Sequence, residues 1–217
     1  MIKKISFIIM VLVLGMGNLI AQKDPEAKEI LDQVSEKYKS MKGMHAIFEY
    51  YYYNELDGAS QTNKGELTVK NNQYKLVLDD QEIYNNGQTV WTYIKSNGYR
   101  EVTINTANPE QDELTPTSIY TIYKNGYDYE LLGESRKNGK AVQEVLLKAE
   151  DSDAQFQKIK LTIDKDKKTL LGWEVADSDG GTFRYSFKEV NANLNLKDSH
   201  FTFDPENHPG VEVIDLR

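Results

Sequence analysis

From Met44 almost to the C-terminus the apolar residues of this chain recur at every second position, and a chain with that period can bury them only by forming β-sheet. Segments 45–55, 61–70, 73–79, 81–85, 89–94, 99–105, 127–135, 141–150, 156–164, 169–177 and 182–190 alternate or are rich in β-branched and aromatic residues. Between them stand Asp57-Gly58, Asn85-Asn86-Gly87, Asn97-Gly98, Asn138-Gly139, residues 164–168 and residues 178–181, all of hairpin or tight-turn chemistry. Sequential hairpins predict an antiparallel meander. Leu67 and Val69 alternate with Glu66, Thr68 and Lys70, and Phe183, Tyr185 and Phe187 with Thr182, Arg184, Ser186 and Lys188, so each strand has one wet and one apolar face. A sheet of about ten such strands curls or closes, and its apolar side must then be filled by a helix, a ligand or both.

Only two segments can do the filling. Asp24-Pro25-Glu26 is a helix start, with a capping carboxylate, a proline at the first helical position and an acid at the positive end of the dipole. Ile30, Leu31, Val34, Tyr38 and Met41 follow at helical spacing and Gly43 ends the pattern, predicting an amphipathic helix over 24–41. The other filler is 106–126, the single long break in the strand pattern. Its acidic first half carries Pro109, Glu110, Asp112 and Glu113, whereas Pro116 is placed to open a short helix bearing Ile119, Tyr120, Ile122 and Tyr123. A loop of this length in a compact domain is a candidate lid.

Composition removes most chemistries. There is no Cys among the 217 residues, which excludes disulfides, thiolate metal sites, a cysteine nucleophile and lipid attachment at an N-terminal Cys. A net charge of −8 disfavours an electrostatic grip on nucleic acid or an anionic membrane. Residues 1–21 begin Met-Ile-Lys-Lys, run apolar over 5–20 and end at Ala21, the pattern of a secretory signal peptide cleaved near Ala21. An uncleaved membrane anchor is the alternative, disfavoured by the short apolar run. Loss of Lys3 and Lys4 takes the charge from −8 to about −10. The expected organisation is a leader, 1–21, and one exported domain, 22–217.

No catalytic or metal constellation survives inspection. His200 and His208 stand near Asp198, Asp204 and Glu206 but match no metal-ligand spacing, and Phe201-Thr202-Phe203 reads as a last strand. No Gly-x-Ser-x-Gly elbow occurs, and Ser199 next to His200 would point to the opposite face of such a strand. The run Tyr50 to Tyr53 splits by alternation, leaving Phe48, Tyr50 and Tyr52 on one face. No cofactor is implied. What remains is a binding face, with Phe48, Leu67, Val69, Leu76, Leu78, Trp91, Tyr93, Leu161, Ile163, Trp173, Val175 and Phe183 as candidate lining of an acyl-chain cavity. An ordinary core sealed by the helix fits the same periodicity equally well.

Residues 81–93, Gln-Glu-Ile-Tyr-Asn-Asn-Gly-Gln-Thr-Val-Trp-Thr-Tyr, resemble the strand, Asn-Gly turn and Thr-hydrophobe-Trp-x-Tyr strand of the periplasmic lipoprotein carrier family LolA. The N-terminal helix followed by Phe48, residues 65–70, Thr115-Pro116, residues 201–205 and residues 210–213 extend the resemblance in order along the whole mature chain. It implies a mainly β fold: an unclosed antiparallel half β-barrel of about eleven strands, with an N-terminal helix and a helical lid. It also implies a soluble, monomeric periplasmic carrier without enzymatic activity. Such a carrier takes acylated lipoproteins from an inner-membrane lipoprotein-releasing transporter and passes them to an outer-membrane acceptor. The family's lid is latched by a basic residue in a Lys/Arg-Pro turn after the second strand. Here the turn reads Lys70-Asn71-Asn72, leaving Lys70 as the candidate latch without the planar fork of Arg. The absence of Cys argues against the lipid-anchored acceptor LolB, and a lipid- or protein-binding sensor of envelope stress built on the same architecture is the alternative function.

Overall fold

The computed structural model describes residues 23–54, 58–96, 98–108, 114–177 and 180–217. The expected leader, the turn residues Asp57, Asn97, Ser178 and Asp179, and the acidic stretch from Pro109 to Glu113 lie outside the described residues. Among those described, no helix is long and apolar enough to cross a membrane.

Helix α1 spans Pro25–Lys39, and its Asp24 cap accepts the N–H groups of Glu26 and Ala27, satisfying donors that the first turn leaves orphaned. The strands follow as β1 (Met44–Asn54), β2 (Ser60–Lys70), β3 (Gln73–Val77), β4 (Gln81–Asn85), β5 (Thr89–Ser96) and β6 (Tyr99–Thr106). After a long connection come β7 (Tyr127–Lys137), β8 (Lys140–Ala149), β9 (Phe156–Asp164), β10 (Thr169–Asp177), β11 (Gly181–Ala192) and a short β12 (Glu212–Asp215). All twelve form one unclosed sheet in the order β12-β6-β5-β4-β3-β2-β1-β11-β10-β9-β8-β7. Every pairing is antiparallel except that of β12 with β6. The eleven expected strands are present with small boundary shifts, and β12 is an addition.

The order is two meanders, β1–β6 and β7–β11, joined where β1 pairs along its whole length with β11. The connection from β6 to β7 therefore has to travel from one side of the sheet to its far margin. Register shifts at Ile47/Phe48, Leu131/Gly133 and Leu170/Gly172 interrupt the ladders and bend the strands that carry them.

Two faces result. Ala27, Ile30, Leu31 and Val34 of α1 pack on Val145, Leu147, Ile159, Leu161, Ile163, Leu170 and Val175, sealing what we call the inner face over β8–β10. On the outer face of β4–β6 the C-terminal segment lays Phe203 and Val211 against Tyr84, Trp91, Tyr93, Val102 and Ile104. Phe201-Thr202-Phe203, expected as a strand, instead follows and overlaps the end of a 3-10 helix, Asp198–Phe201. The apolar alternation there serves to lay Phe203 on the sheet and to bury Phe201, not to pair with it.

Among the described residues margin strand β7 has no second neighbour strand, yet part of that side is covered. Asp24 N–H donates to the Tyr129 carbonyl at 3.1 Å and the Asp24 carboxylate accepts the Leu131 N–H at 3.0 Å, so one residue caps α1 and ties it to the sheet.

Gly172 marks a very close backbone approach in the sheet: a Cβ there would stand 2.1 Å from the Tyr185 carbonyl oxygen. Because the obstacle is backbone within the ladder, Gly172→Ala is expected to lose about 2 kcal/mol or more. A lower urea midpoint at unchanged slope would verify this, and an unchanged midpoint would contradict it.

Candidate functional site

Beyond the part sealed by α1, the inner face is paved with aromatic rings. Trp173 stacks on Tyr185 with centroids 4.9 Å apart, Tyr185 lies 6.1 Å from both Phe48 and Tyr50, and Tyr52 lies 4.8 Å from Phe183. Cross-strand pairing builds this pavement, since Tyr50 is opposite Tyr185 and Tyr185 opposite Trp173, while Tyr52 is opposite Phe183 and Phe183 opposite Val175. Gly65 makes room for it: a Cβ at Gly65 would come within 2.4 Å of the Phe48 ring.

Over the rings lies an open apolar pocket of about 280 Å³, walled by Phe48, Tyr50, Leu67, Leu76, Leu78 and Trp173, with Phe183 and Tyr185, and bounded by Leu114, Thr115 and Pro116 of the crossing segment. A second cavity of about 470 Å³ adjoins it at Thr115 and is walled by Tyr38, Met41, Met44, Val69 and Tyr120 among others. Two polar groups in these walls are out of water with no hydrogen-bond partner among the described residues, Trp173 Nε1 and the Tyr120 hydroxyl. Burial, assisted by nearby Tyr38, pushes the Tyr120 hydroxyl pKa far up and keeps it protonated.

The twelve expected lining residues divide three ways. Phe48, Leu67, Leu76, Leu78, Trp173 and Phe183 do wall the pocket, and Val69 walls its neighbour. Leu161, Ile163 and Val175 belong instead to the solid core beneath α1, almost fully buried. Trp91 and Tyr93 are corrections of face: their partners across the sheet are Tyr84, Ile104, Glu82 and Val102, and they pack on the outer face against the C-terminal segment. The inner position on that strand belongs to Thr92, which pairs with Ile83. Tyr50 and Tyr185 join the lining beyond those expected, although alternation puts them beside Phe48 and Phe183.

Crossing residues 114–124 form the cover. Pro116 opens no regular helix; the segment is a chain of turns ending in a 3-10 helix, Ile122–Lys124. Its first turn is held reciprocally, Ser118 N–H donating to Thr115 Oγ1 at 3.0 Å and Thr115 N–H to Ser118 Oγ at 2.8 Å. Ile119 and Tyr123 are buried in the α1 core cluster, with Ile122 packed against it. Tyr120 stacks flat on Tyr38 at 4.0 Å, and Tyr38 in turn accepts the Leu170 N–H at 3.1 Å.

Lys70 does not hold this cover. Alternating with inward Val69, it points to the outer face, where its Nζ donates to the Leu196 carbonyl at 2.9 Å and to Asp198 at 2.7 Å. The cover is fastened to α1 instead, by Tyr123 donating to Asp32 at 2.5 Å and by Lys124 Nζ reaching Ser35 Oγ at 3.4 Å. Hydrogen bonds from Lys28 and Tyr123 hold the Asp32 carboxyl below its ordinary range.

Glu82, a strongly perturbed carboxylate on β4, is structural. Burial raises Glu82, but hydrogen bonds from Lys95 and Tyr84 and the charge of Lys75 outweigh it and bring the carboxyl to about 2. A carboxylate so fixed is not poised for proton transfer at neutral pH. Among the described residues no three His, Asp or Glu side chains gather to hold a metal ion. His208 stacks on Phe203 at 4.3 Å.

The family model described as outer membrane lipoprotein carrier protein LolA matches residues 39–204. No curated protein is matched by the sequence. A solved structure of an uncharacterized conserved protein from Thermus thermophilus superposes with a TM-score of 0.59 at 14% identity, covering 88% of this chain and 99% of that one. The Mycobacterium tuberculosis lipoprotein LppX gives 0.50 at 12% identity, covering 80% and 98%. A LolA superfamily protein from Nitrosomonas europaea gives 0.44 at 14% identity, covering 82% and 97%.

Removing the Tyr123 hydroxyl tests the α1 fastening: Tyr123→Phe is expected to raise local opening of 115–124 by up to about tenfold in hydrogen exchange. Because the Asp32 pKa is depressed in the folded state, its stabilising contact is complete above pH ~4 and lost as pH falls through the folded value. Opening corrected for intrinsic exchange should therefore rise on acidification below about pH 4 in the native protein, and this dependence should vanish in Asp32→Asn. Unchanged protection in both variants would show that the cover is held by packing alone.

Proposed function

Because the chain belongs to the family of the outer membrane lipoprotein carrier protein LolA, we propose that it is a non-enzymatic periplasmic carrier of lipoproteins. In this reading it shields their acyl chains after release from the inner membrane and delivers them toward the outer membrane. One observation carries the reading: an open pocket of about 280 Å³, paved with aromatic rings and with no charged side chain among its described lining residues, lies on the inner face beneath the start of the crossing segment. Burying acyl chain is worth about 0.8 kcal/mol per CH₂, so a few methylenes in such a pocket give useful affinity without a fixed polar partner. The same arithmetic makes release the harder step, and it is met by transfer to a better cavity or to a bilayer.

Volume favours a cover that moves. At about 280 Å³ the pocket falls just below the roughly 300–1,000 Å³ of small-molecule sites. Displacing Pro116 and the residues after it joins this space to the 470 Å³ cavity and admits a longer chain. The α1 fastening through Asp32 and Tyr38 then takes the part that a basic latch plays in the family resemblance. The leader over 1–21, cleaved near Ala21, supplies export, an inner-membrane lipoprotein-releasing transporter supplies cargo, and an outer-membrane acceptor receives it from the monomer. No cofactor enters this scheme.

Leu76→Glu puts an unpaired carboxylate into the pocket wall and is expected to weaken binding of a palmitoylated lipopeptide at least about tenfold. Lys70→Ala, altered on the outer face, should leave that affinity unchanged. Titration of the delipidated protein checks both; a wild-type protein that binds no acylated peptide would remove the carrier reading.

A further inference from the structure

The inner face changes character along its length. One rung of paired residues runs from Ala46 through Leu67, Leu76 and Ile83 to Thr92 and Thr103, and the next from Met44 through Val69, Tyr74, Asn85 and Val90 to Asn105. The first is apolar through Ile83 of β4 and ends in hydroxyls on β5 and β6, while the second passes from an apolar start to amides on β4 and β6 that flank Val90. Over that polar end stands a third open cavity, about 900 Å³, whose walls include Asn72, Asn85, Thr92, Asn105, Asn108 and Thr117. Asn72, Asn108 and Thr117 also wall the 470 Å³ cavity, and Thr115 walls all three spaces, so the chamber adjoins the 470 Å³ cavity and borders the apolar pocket at Thr115. Among the described residues the one charged side chain in its walls is Arg217, which is engaged by Asp215 through two hydrogen bonds.

We propose that this amide-lined chamber is a head-group subsite for an uncharged, hydrogen-bonding head, a peptide or a sugar, attached to the chain that occupies the apolar pocket; the proposal rests on the acyl-carrier reading above. Carboxamides and hydroxyls offer donors and acceptors together, which matches peptide groups and sugar hydroxyls equally and carries no charge to pair with an ionic head. A charged head would leave water for a lining that, among the described residues, offers neutral groups and an Arg217 already paired with Asp215, an unfavourable exchange. Independent of the lining, the buried Tyr120 hydroxyl stands in the wall of the 470 Å³ cavity that adjoins both spaces, without a hydrogen-bond partner among the described residues. Buried polar groups are seldom left so, and a polar linkage between head and chain is placed to engage it.

The test compares probes of one chain length below their micelle-forming concentrations: dodecyl maltoside, an N-dodecanoyl Ser-Gly-Asn amide, laurate and dodecylammonium. The neutral probes are expected to bind about tenfold more tightly than the charged ones. Thr92→Val/Asn105→Leu, altered at open positions that hold no turn, should erase that preference and leave laurate binding unchanged. Sensitivity of only the maltoside or only the lipopeptide to this variant identifies a sugar or a peptide as the head. Equal affinity for all four probes, or a double variant that binds the neutral probes as the native protein does, overturns the head subsite; if Leu76→Glu still weakens every probe, the carrier reading stands without it. Binding of no dodecyl probe at all overturns both.

Discussion

The pairing of β1 with β11, from Met44 opposite Ala192 to Asn54 opposite Gly181, is the contact on which the rest of the structure depends. It joins the two meanders into one sheet and puts β6 near one margin and β7 at the other. Once that is fixed, the chain between them must cross the sheet, and the cover over the inner face follows from connectivity. A single meander with the same strands would have needed only a hairpin at that point. Contacts of such sequence separation are costly in loop entropy, and two compact meanders of local hairpins keep most other pairings short-range.

The inner face is filled unevenly. Over β8–β10, α1 and the cover pack closely, and Leu161, Ile163 and Val175 make an ordinary core. Over β1–β3 and β11 the end of α1 reaches the ring cluster through Tyr38, and past it the pocket opens. Stability thus comes from one end of the sheet and capacity from the middle. The cover belongs to both regions, since Ile119 and Tyr123 are core residues while Thr115 and Pro116 bound the pocket.

Much of this was legible. Eleven strands, the capped helix and the long crossing segment follow from alternation, turn chemistry and the Asp-Pro-Glu start. The site was legible by halves. Phe48, Leu67, Leu76, Leu78, Trp173 and Phe183 follow from the sequence because large apolar residues on a one-sided strand face the same way as their neighbours. Trp91 and Tyr93 mislead because β5 is apolar on both faces, with Val90 inward and Trp91 outward, so composition could not choose. Lys70 misleads for a related reason: a basic residue next to a turn fits a latch in sequence, whereas its parity with respect to Val69 sends it to the opposite face. The amide chamber gives no signal, because Asn85 reads as turn chemistry and Asn72, Asn105 and Asn108 are spread along the chain.

The sequence by itself determined period, caps and turns, and with them which residues within each strand share a face, because these are properties of neighbours in the chain. Only the tertiary structure decided which face is inward, what covers it and where it stays open. Those depend on β1 meeting β11 and on the C-terminal segment claiming the outer face of β4–β6, which are contacts between distant residues. A strand with period two carries two equivalent faces until a partner is laid on one of them.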